Sequence, residues 1–205
     1  GYSIATSADG KTIVVGSRDD ETPDNSSASG VVYVFDREYS VGVGTIFTEV
    51  GILTGSYASD SADYFGYSVA TSADGKTIVV GARNDETHEN PLGSGVVYIF
   101  NRQGNDFNEV GILTGTYADE ANDYFGSDVA CSADGNVIVI GALRDEAGSV
   151  GSSYGTVYVF NRQGNNFNEV GIITGTYPDG FAEEFGCSVA CSADGKHIIV
   201  GAYAD

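Results

Sequence analysis

The stretch FGYSVATSADGKTIVVGA at residues 65–82 decides the fold, because the chain repeats it almost unchanged. FGSDVACSADGNVIVIGA follows at 125–142 and FGCSVACSADGKHIIVGA at 185–202, so the Phe-Gly pair recurs every 60 residues. An earlier copy that lacks its phenylalanine, GYSIATSADGKTIVVGS, occupies residues 1–17. Self-similarity at a fixed period of tens of residues is the sequence signature of a repeat architecture.

Each copy contains four short segments with the composition of β-strands. The Asp74-Gly75 pair between the first two is a strong signal for a two-residue hairpin. The runs at 78–80 and 96–100 are apolar without alternation, so both faces of these strands must be covered. Sheets stacked around an axis cover both faces of each sheet, and no segment shows the helical period. The sequence therefore predicts an all-β propeller of four-stranded antiparallel blades.

The predicted blades divide the chain into three full repeats and part of a fourth. Blade 1 is expected at 1–57, blade 2 at 58–117, blade 3 at 118–177 and a partial blade 4 at 178–205, all in one domain. Propellers usually close with about four to eight blades. We therefore expect a fragment of a longer propeller; the less favoured alternative is closure by a second chain.

The connections between strands differ in length in a regular way. First-to-second and third-to-fourth strands are joined mostly by tight turns, whereas the segments 83–95, 143–155 and the blade-to-blade connections are long. In an up-and-down blade, the connections between second and third strands and the connections between blades emerge on the same side. Because loops on a rigid scaffold usually carry binding, we expect the ligand face on the long-loop side.

Acidic pairs recur in these long loops at Asp20-Glu21, Asp85-Glu86 and Asp145-Glu146. One interpretation is an acidic face that recognises a cation or a basic partner. The other, which we favour for the aspartates themselves, is a local turn in which the carboxylate accepts backbone N–H bonds. Arg18 and Arg83, which share one repeat position, are expected to pair with nearby carboxylates.

Composition excludes several function classes. The formal net charge of −20, from 29 acidic and 9 basic side chains, repels nucleic acid and anionic membranes. No stretch is long and apolar enough to span a bilayer. Three cysteines without a CxxC pair argue against a disulfide framework or a zinc site. No nucleophile elbow, HExxH or phosphate loop occurs, so we expect no enzymatic activity.

The repeated motif resembles the FG-GAP repeat family, known from the propeller of integrin alpha subunits. The resemblance covers essentially the whole chain and implies a β-propeller, commonly extracellular or at the cell surface, used for adhesion or recognition. The residues expected to shape the repeat are Phe65, Gly66, Gly81, Phe125, Gly126, Gly141, Phe185, Gly186 and Gly201.

One departure from the family concerns calcium. The family's calcium-binding form carries several acidic residues around the Asp-Gly turn, whereas the turns of Asp74, Asp134 and Asp194 each offer a single carboxylate. Calcium needs six to eight oxygen ligands. We therefore expect no metal at these turns and no cofactor.

Taken together, these patterns predict a non-enzymatic recognition or adhesion module. It is expected to bind a protein or glycan, with a basic partner as the best electrostatic match, through the acidic long-loop face. One alternative is a structural subunit of an extracellular filament, coat or larger complex, and a second is a polysaccharide-active enzyme. Asn25-Ser26-Ser27 also fits a glycosylation acceptor.

Overall fold

The computed structural model describes residues 1–23, 28–60, 62–88, 92–146, 155–175 and 184–203. The regular elements of these residues are 14 β-strands. None of the described residues forms a helix of the length and apolarity that a membrane crossing requires.

The strands form consecutive antiparallel sheets in which neighbours along the chain pair with one another. The first sheet contains β1 (Ser3–Thr6), β2 (Thr12–Ser17), β3 (Val31–Ser40) and β4 (Gly44–Leu53). The second contains β5 (Phe65–Thr71), β6 (Thr77–Ala82), β7 (Val96–Gln103) and β8 (Asp106–Leu113). The third contains β9 (Phe125–Cys131), β10 (Val137–Ala142), β11 (Thr156–Gln163) and β12 (Asn166–Thr174). The fourth pairs β13 (Ser188–Cys191) with β14 (Ile198–Gly201).

Each sheet packs face to face on the next one along the chain. The inner strands β1, β5, β9 and β13 contact one another in that order and line a common axis. Apolar clusters fill the space between blades; the first joins Val14 and Val32 of one sheet to Phe65, Val80 and Tyr98 of the next. This is why β6 is buried along its whole length. The predicted all-β propeller of four-stranded blades is confirmed.

Glycines set how closely consecutive blades approach. A Cβ built on Gly126 would lie 3.2 Å from the Cα of Gly81, and one built on Gly81 would overlap the carbonyl oxygen of Gly126. Gly126 also has φ of 87°, a conformation that side chains with a Cβ rarely adopt. Ser68 donates a hydrogen bond of 2.8 Å to the same carbonyl. The motif thus places backbone against backbone where two blades meet.

The tight turns between first and second strands, and between third and fourth strands, form one face of the propeller, which we call the tight-turn face. The amides of Ala8, Ala73 and Ala133 donate hydrogen bonds of 2.9 Å to the alanine carbonyls of the next blade, at Ala73, Ala133 and Ala193 respectively. Arg102 donates two further bonds, of 2.7 and 2.5 Å, to Asp36 in the preceding blade. These bonds connect the hairpins of neighbouring blades. The polar groups that make them are occupied within the protein, so we look for a binding site at the other end of the axis.

The strand register puts the long loops at one end. Phe65, which begins β5, pairs with Ala82 at the end of β6, and Ala82 pairs with Val96 at the start of β7. The residues that follow β2, β6 and β10 therefore lie close to those that precede β5, β9 and β13. We call this end the long-loop face.

Candidate functional site

The aspartates of two predicted acidic pairs lie inside the fold. Asp85 and Asp145 are each 1% exposed, and the hydroxyls of Tyr98 and Tyr158 donate hydrogen bonds to their carboxylates. The Tyr98–Asp85 bond is 2.5 Å long. Asp85 also accepts a bond of 2.7 Å from the amide of Glu86, the local-turn arrangement. This corrects the expectation of an exposed acidic surface: these two side chains anchor each long loop to the third strand.

The remaining members of the acidic pairs keep more access to solvent. Asp20 accepts a bond of 2.8 Å from Tyr33 and is half-buried, and Glu21 is exposed. Glu86 and Glu146 are half-buried beside their anchored aspartates. The four residues belong to the long loops of three successive blades.

Burial dominates the electrostatics of these loops. It raises the pKa of Asp85 to about 7, of Asp63 to about 6 and of Asp123 to about 7, against the opposing effect of the hydrogen bonds they accept. Asp63 accepts a bond of 2.6 Å from the amide of Asp60. Burial thus favours the neutral form of these three carboxyl groups, which reduces repulsion in an acidic chain.

A cluster of tyrosines and arginines occupies the long-loop face near the axis. The guanidinium carbon of Arg18 lies 4.2 Å from the ring centroid of Tyr2, and that of Arg83 lies 4.1 Å from the ring of Tyr67. The rings of Tyr2 and Tyr67 are 4.8 Å apart, so the pairs of two consecutive blades stack together. Cation–π contacts of this length hold a guanidinium in place.

Residues with a strained backbone lie beside the same cluster and add further side chains to it. Tyr64, Tyr124 and Glu184 share one repeat position, immediately before Phe-Gly, and have φ of 58°, 60° and 48°. This conformation is costly for an aromatic residue, and such strain concentrates at functional sites. The ring of Tyr124 consequently lies 4.8 Å from the guanidinium carbon of Arg83 and 5.1 Å from that of Arg144.

The stack is interrupted in the third blade, and a cavity opens there. The repeat position of Tyr67 is held by Ser127, and that of Arg83 by Leu143. A cavity of about 460 Å³, which we call the axial pocket, lies beside Leu143. Its walls include Tyr67, Arg83, Tyr124, Arg144, Glu184 and Tyr203.

Sequence reasoning missed this pocket. It treated Arg18 and Arg83 as partners of nearby carboxylates; Arg18 does pair with Asp19 at 3.2 Å, but Arg83 contacts tyrosines instead. The sequence feature that could have indicated the pocket is a difference between the repeat copies, not a residue that they share. At the end of the axis the third copy replaces both members of the Tyr–Arg pair.

A larger groove, of about 750 Å³, lies on the tight-turn face between blades 2 and 3. Its arginines already serve the blade contacts: Arg102 binds Asp36, and Arg162 donates a bond of 2.8 Å to Asn101. Because these guanidinium groups are engaged within the protein, we regard the axial pocket as the better candidate site.

Two stretches of the chain, residues 47–100 and 112–160, match the FG-GAP repeat family. The chain belongs to this family. Each matched stretch contains one complete Phe-Gly to Gly-Ala motif and most of the blade around it.

Other comparisons are less informative. Among solved structures, the chain resembles the periplasmic gluconolactonase PpgL of Pseudomonas aeruginosa, at 14% sequence identity and a TM-score of 0.47. The similarity covers 99% of this chain and 65% of that enzyme's length. The comparison with curated proteins gives no match.

The FG-GAP calcium site does not fit the residues present. At the second turn, Asp74 accepts bonds of 2.7 Å from the Ser72 hydroxyl and 3.0 Å from the Lys76 amide. The Lys76 ammonium lies 3.6 Å from the same carboxylate. Within the described residues, no group of three or more acidic, His or Cys side chains is arranged to hold a metal ion. Asp134 and Asp194 accept the same two bonds, from the serine two residues before and the amide two residues after.

The remaining predicted residues either shape the FG-GAP repeat itself or lie outside the residues that the structure describes. Phe65 and Phe125 are fully buried between blades, each with its ring 5.4 Å from a tyrosine ring, that of Tyr98 or Tyr158. Asn25, the predicted glycosylation acceptor, lies outside the described residues.

Proposed function

We propose that this FG-GAP propeller is a non-enzymatic recognition module that binds a saccharide in the axial pocket. The observation that carries the proposal is the cavity of about 460 Å³ at the long-loop end of the axis, walled by tyrosine rings and arginines. Its volume falls in the range of small-ligand pockets, about 300–1,000 Å³. A concave site of this size suits a sugar unit better than the broad surface of a folded protein.

The chemistry of the walls supports a saccharide ligand. Tyrosine rings offer flat apolar faces to the C–H groups of a pyranose, and their hydroxyls join the guanidinium groups as hydrogen-bond donors. Glu184 adds an acceptor for sugar hydroxyls. The pocket therefore combines the stacking surface and the polar groups that orient a ligand.

The support of the pocket is rigid, which favours binding. Tyr67 lies on β5, an inner strand that packs against β1 and β9, and Arg83 follows β6 directly. A preformed site loses little conformational entropy when a ligand binds. Recognition on the surface or outside the cell, where many FG-GAP propellers act, agrees with this role.

A binding titration tests the proposal. The purified chain is titrated with a panel of neutral and acidic oligosaccharides by calorimetry, in parallel with Tyr203→Ala and the control Arg37→Ala. Tyr203 is 83% exposed, so its truncation leaves the fold intact, and Arg37 is an exposed arginine on the opposite face. We expect at least one saccharide to bind, with at least about fivefold weaker affinity for Tyr203→Ala, a loss of about 1 kcal/mol.

Three other outcomes would contradict the proposal. Binding that Tyr203→Ala leaves unchanged would place the site elsewhere. Capture of a folded protein with no saccharide binding would favour a protein ligand. Cleavage of a saccharide, lost in Glu184→Gln, would replace the recognition module with the polysaccharide-active enzyme.

A second candidate function, a structural subunit, is favoured by one observation. The hairpin that joins β3 and β4 carries exposed apolar side chains: Tyr39 is 77% exposed, Val41 92% and Val43 73%. Exposed apolar surface of this kind is typical of contact sites. Concentration-dependent assembly in light scattering, lost when Val41 and Val43 are changed to Ser, would support this candidate.

A further inference from the structure

The cationic side chains of this acidic chain divide into two groups by location. The three lysines each lie 3.6 Å from the aspartate of their own Asp-Gly turn. Arg37, Arg102 and Arg162 also belong to the tight-turn face, where they contact neighbouring hairpins. The other three arginines, Arg18, Arg83 and Arg144, all contact the tyrosine cluster at the long-loop end of the axis.

Contacts with tyrosines hold the Arg83 guanidinium in place but do not use all of its hydrogen-bond donors. Its Nη1 donates a bond of 2.8 Å to the Tyr67 hydroxyl, and its guanidinium carbon lies between 4.1 and 5.7 Å from three tyrosine rings. Its Nε is buried and has no acceptor among the residues that the structure describes. A buried N–H without a partner costs free energy, and because this atom is covered by protein, the outer nitrogens of the guanidinium are the ones that a ligand can reach.

Arg144 lines the same cavity, beside the Tyr124 ring. Its guanidinium carbon is 5.1 Å from that ring, and the side chain is exposed. In the described part of the chain neither Arg83 nor Arg144 forms an ion pair with a carboxylate. Two guanidinium groups thus line one cavity without forming an ion pair, in a chain whose net charge is −20.

We propose that the axial pocket selects an acidic saccharide, a sugar unit whose carboxylate is bound by Arg83 and Arg144; this rests on the proposed saccharide-binding function. Guanidinium groups bind carboxylates through paired, charge-assisted hydrogen bonds. The exposed Tyr203 ring offers a stacking surface for the sugar ring, and Glu184 accepts bonds from its hydroxyls. A neutral sugar has no anion to pair with the two guanidinium groups, which makes the acid the better ligand.

The single carboxylate in the pocket also limits the ligand. Glu184 repels an anion that fills the cavity, so a densely charged ligand such as a sulfated chain is disfavoured. A uronic acid has one carboxylate and several hydroxyls on each ring. It can place its charge at the arginines and its hydroxyls at Glu184.

The probes are trimers of galacturonate, glucuronate, mannuronate and guluronate, each compared with its own methyl ester. The ester keeps the ring and removes the charge. Calorimetric titrations are run at neutral pH and low salt, with a chelator to prevent calcium cross-linking of the acids. We expect at least one free acid to bind at least about tenfold more tightly than its ester, with the preference reduced at higher salt.

Arg144→Ala tests the assigned residues. Because Arg144 is exposed, this variant is expected to fold normally, and the acid-over-ester preference should fall at least about fivefold, since the acid loses more affinity than the ester. Arg37→Ala removes the same charge from the opposite face and should leave the preference unchanged. Arg144→Lys should restore only part of it, since an ammonium cannot make the paired contact.

The outcomes separate the two proposals. Equal binding of acid and ester, weakened by Tyr203→Ala, would overturn acid selection and retain the saccharide site. A preference that Arg144→Ala does not alter, or that Arg37→Ala alters equally, would also overturn it. No binding of any neutral or acidic probe would overturn both proposals.

Discussion

Gly81 and Gly126 meet backbone to backbone at the boundary of blades 2 and 3: a Cβ built on Gly81 would overlap the Gly126 carbonyl oxygen. The same contact joins Gly16 to Gly66 and Gly141 to Gly186. The glycines of the FG-GAP motif therefore serve one physical purpose, the close stacking of consecutive sheets.

Gly81→Ala should force these two blades apart. The added methyl group has no space between two backbones, and overpacking of this kind costs about 1–3 kcal/mol. Tm should fall by about 2–4 °C for each kcal/mol in a chain of this size. The matched control is Gly171→Ala on β12, where the nearest atom to the new Cβ would be 3.9 Å away and Tm should change little. Equal effects of the two substitutions would contradict the stacking contact.

The buried Tyr98–Asp85 bond should contribute more stability than its counterpart in the first blade. Tyr98→Phe leaves a buried carboxyl group without its donor, which costs about 1–3 kcal/mol. Tyr33→Phe removes the same bond from the half-buried Asp20, where water replaces the lost donor, and should cost about 0.5–1.5 kcal/mol. Chemical denaturation of both variants measures the difference. A larger loss for Tyr33→Phe would show that burial does not set the strength of this bond.

The buried acids should make the protein more stable as the pH is lowered from 8 to 5. Burial raises the pKa of Asp85 to about 7 and of Asp123 to about 7, whereas in the unfolded chain both titrate near 3.8. Between these values the folded state binds more protons than the unfolded state, so the free energy of unfolding falls as the pH rises. Thermal melts should show a Tm several degrees higher at pH 5 than at pH 8.

Asp85→Asn separates this effect from general charge repulsion. The amide does not titrate, so the variant should show a smaller change of Tm between pH 5 and 8. Asp74→Asn is the control, because the pKa of Asp74 is lowered and its titration lies below this pH range. An undiminished pH dependence in Asp85→Asn would show that the buried carboxyl is not its source.

Arg102 should hold blades 1 and 2 together on the tight-turn face. Its two hydrogen bonds to Asp36 are only partly exposed, and hydrogen bonds to charged groups contribute about 1.5–3 kcal/mol. Arg102→Ala should therefore lower the free energy of unfolding by about that amount. Arg37→Ala, at the equivalent position of the first blade, should cost far less because Arg37 is exposed and makes one bond of 3.4 Å.

The repeat could be predicted from the sequence because its residues make the same contacts in each copy. Phe65-Gly66 and Val80-Gly81 recur with fixed spacing, and strands that are apolar on both faces require stacked sheets. The burial of Asp85 could not be predicted in this way. Its partner, Tyr98, lies 13 residues away across a long loop, and an acidic pair in a loop is usually exposed.

The axial pocket could not be found from shared residues, because it exists where the copies differ. Ser127 and Leu143 replace the Tyr–Arg pair of the second blade, but only the stacked structure shows that a cavity lies beside Leu143. The strained conformation of Tyr124, which carries its ring to Arg83 and Arg144, likewise leaves no trace in the sequence.

The most direct measurement is the affinity of Ser127→Tyr for the acidic trimer that binds the unaltered chain best. The new side chain stands at the repeat position of Tyr67, and we expect its ring to extend over Leu143 into the axial pocket. Calorimetry should show at least about tenfold weaker binding with Tm within a few degrees of the parent, and Arg144→Ala provides a second reading if the variant fails to fold. Unchanged affinity in folded Ser127→Tyr would show that the ligand does not bind in the axial pocket.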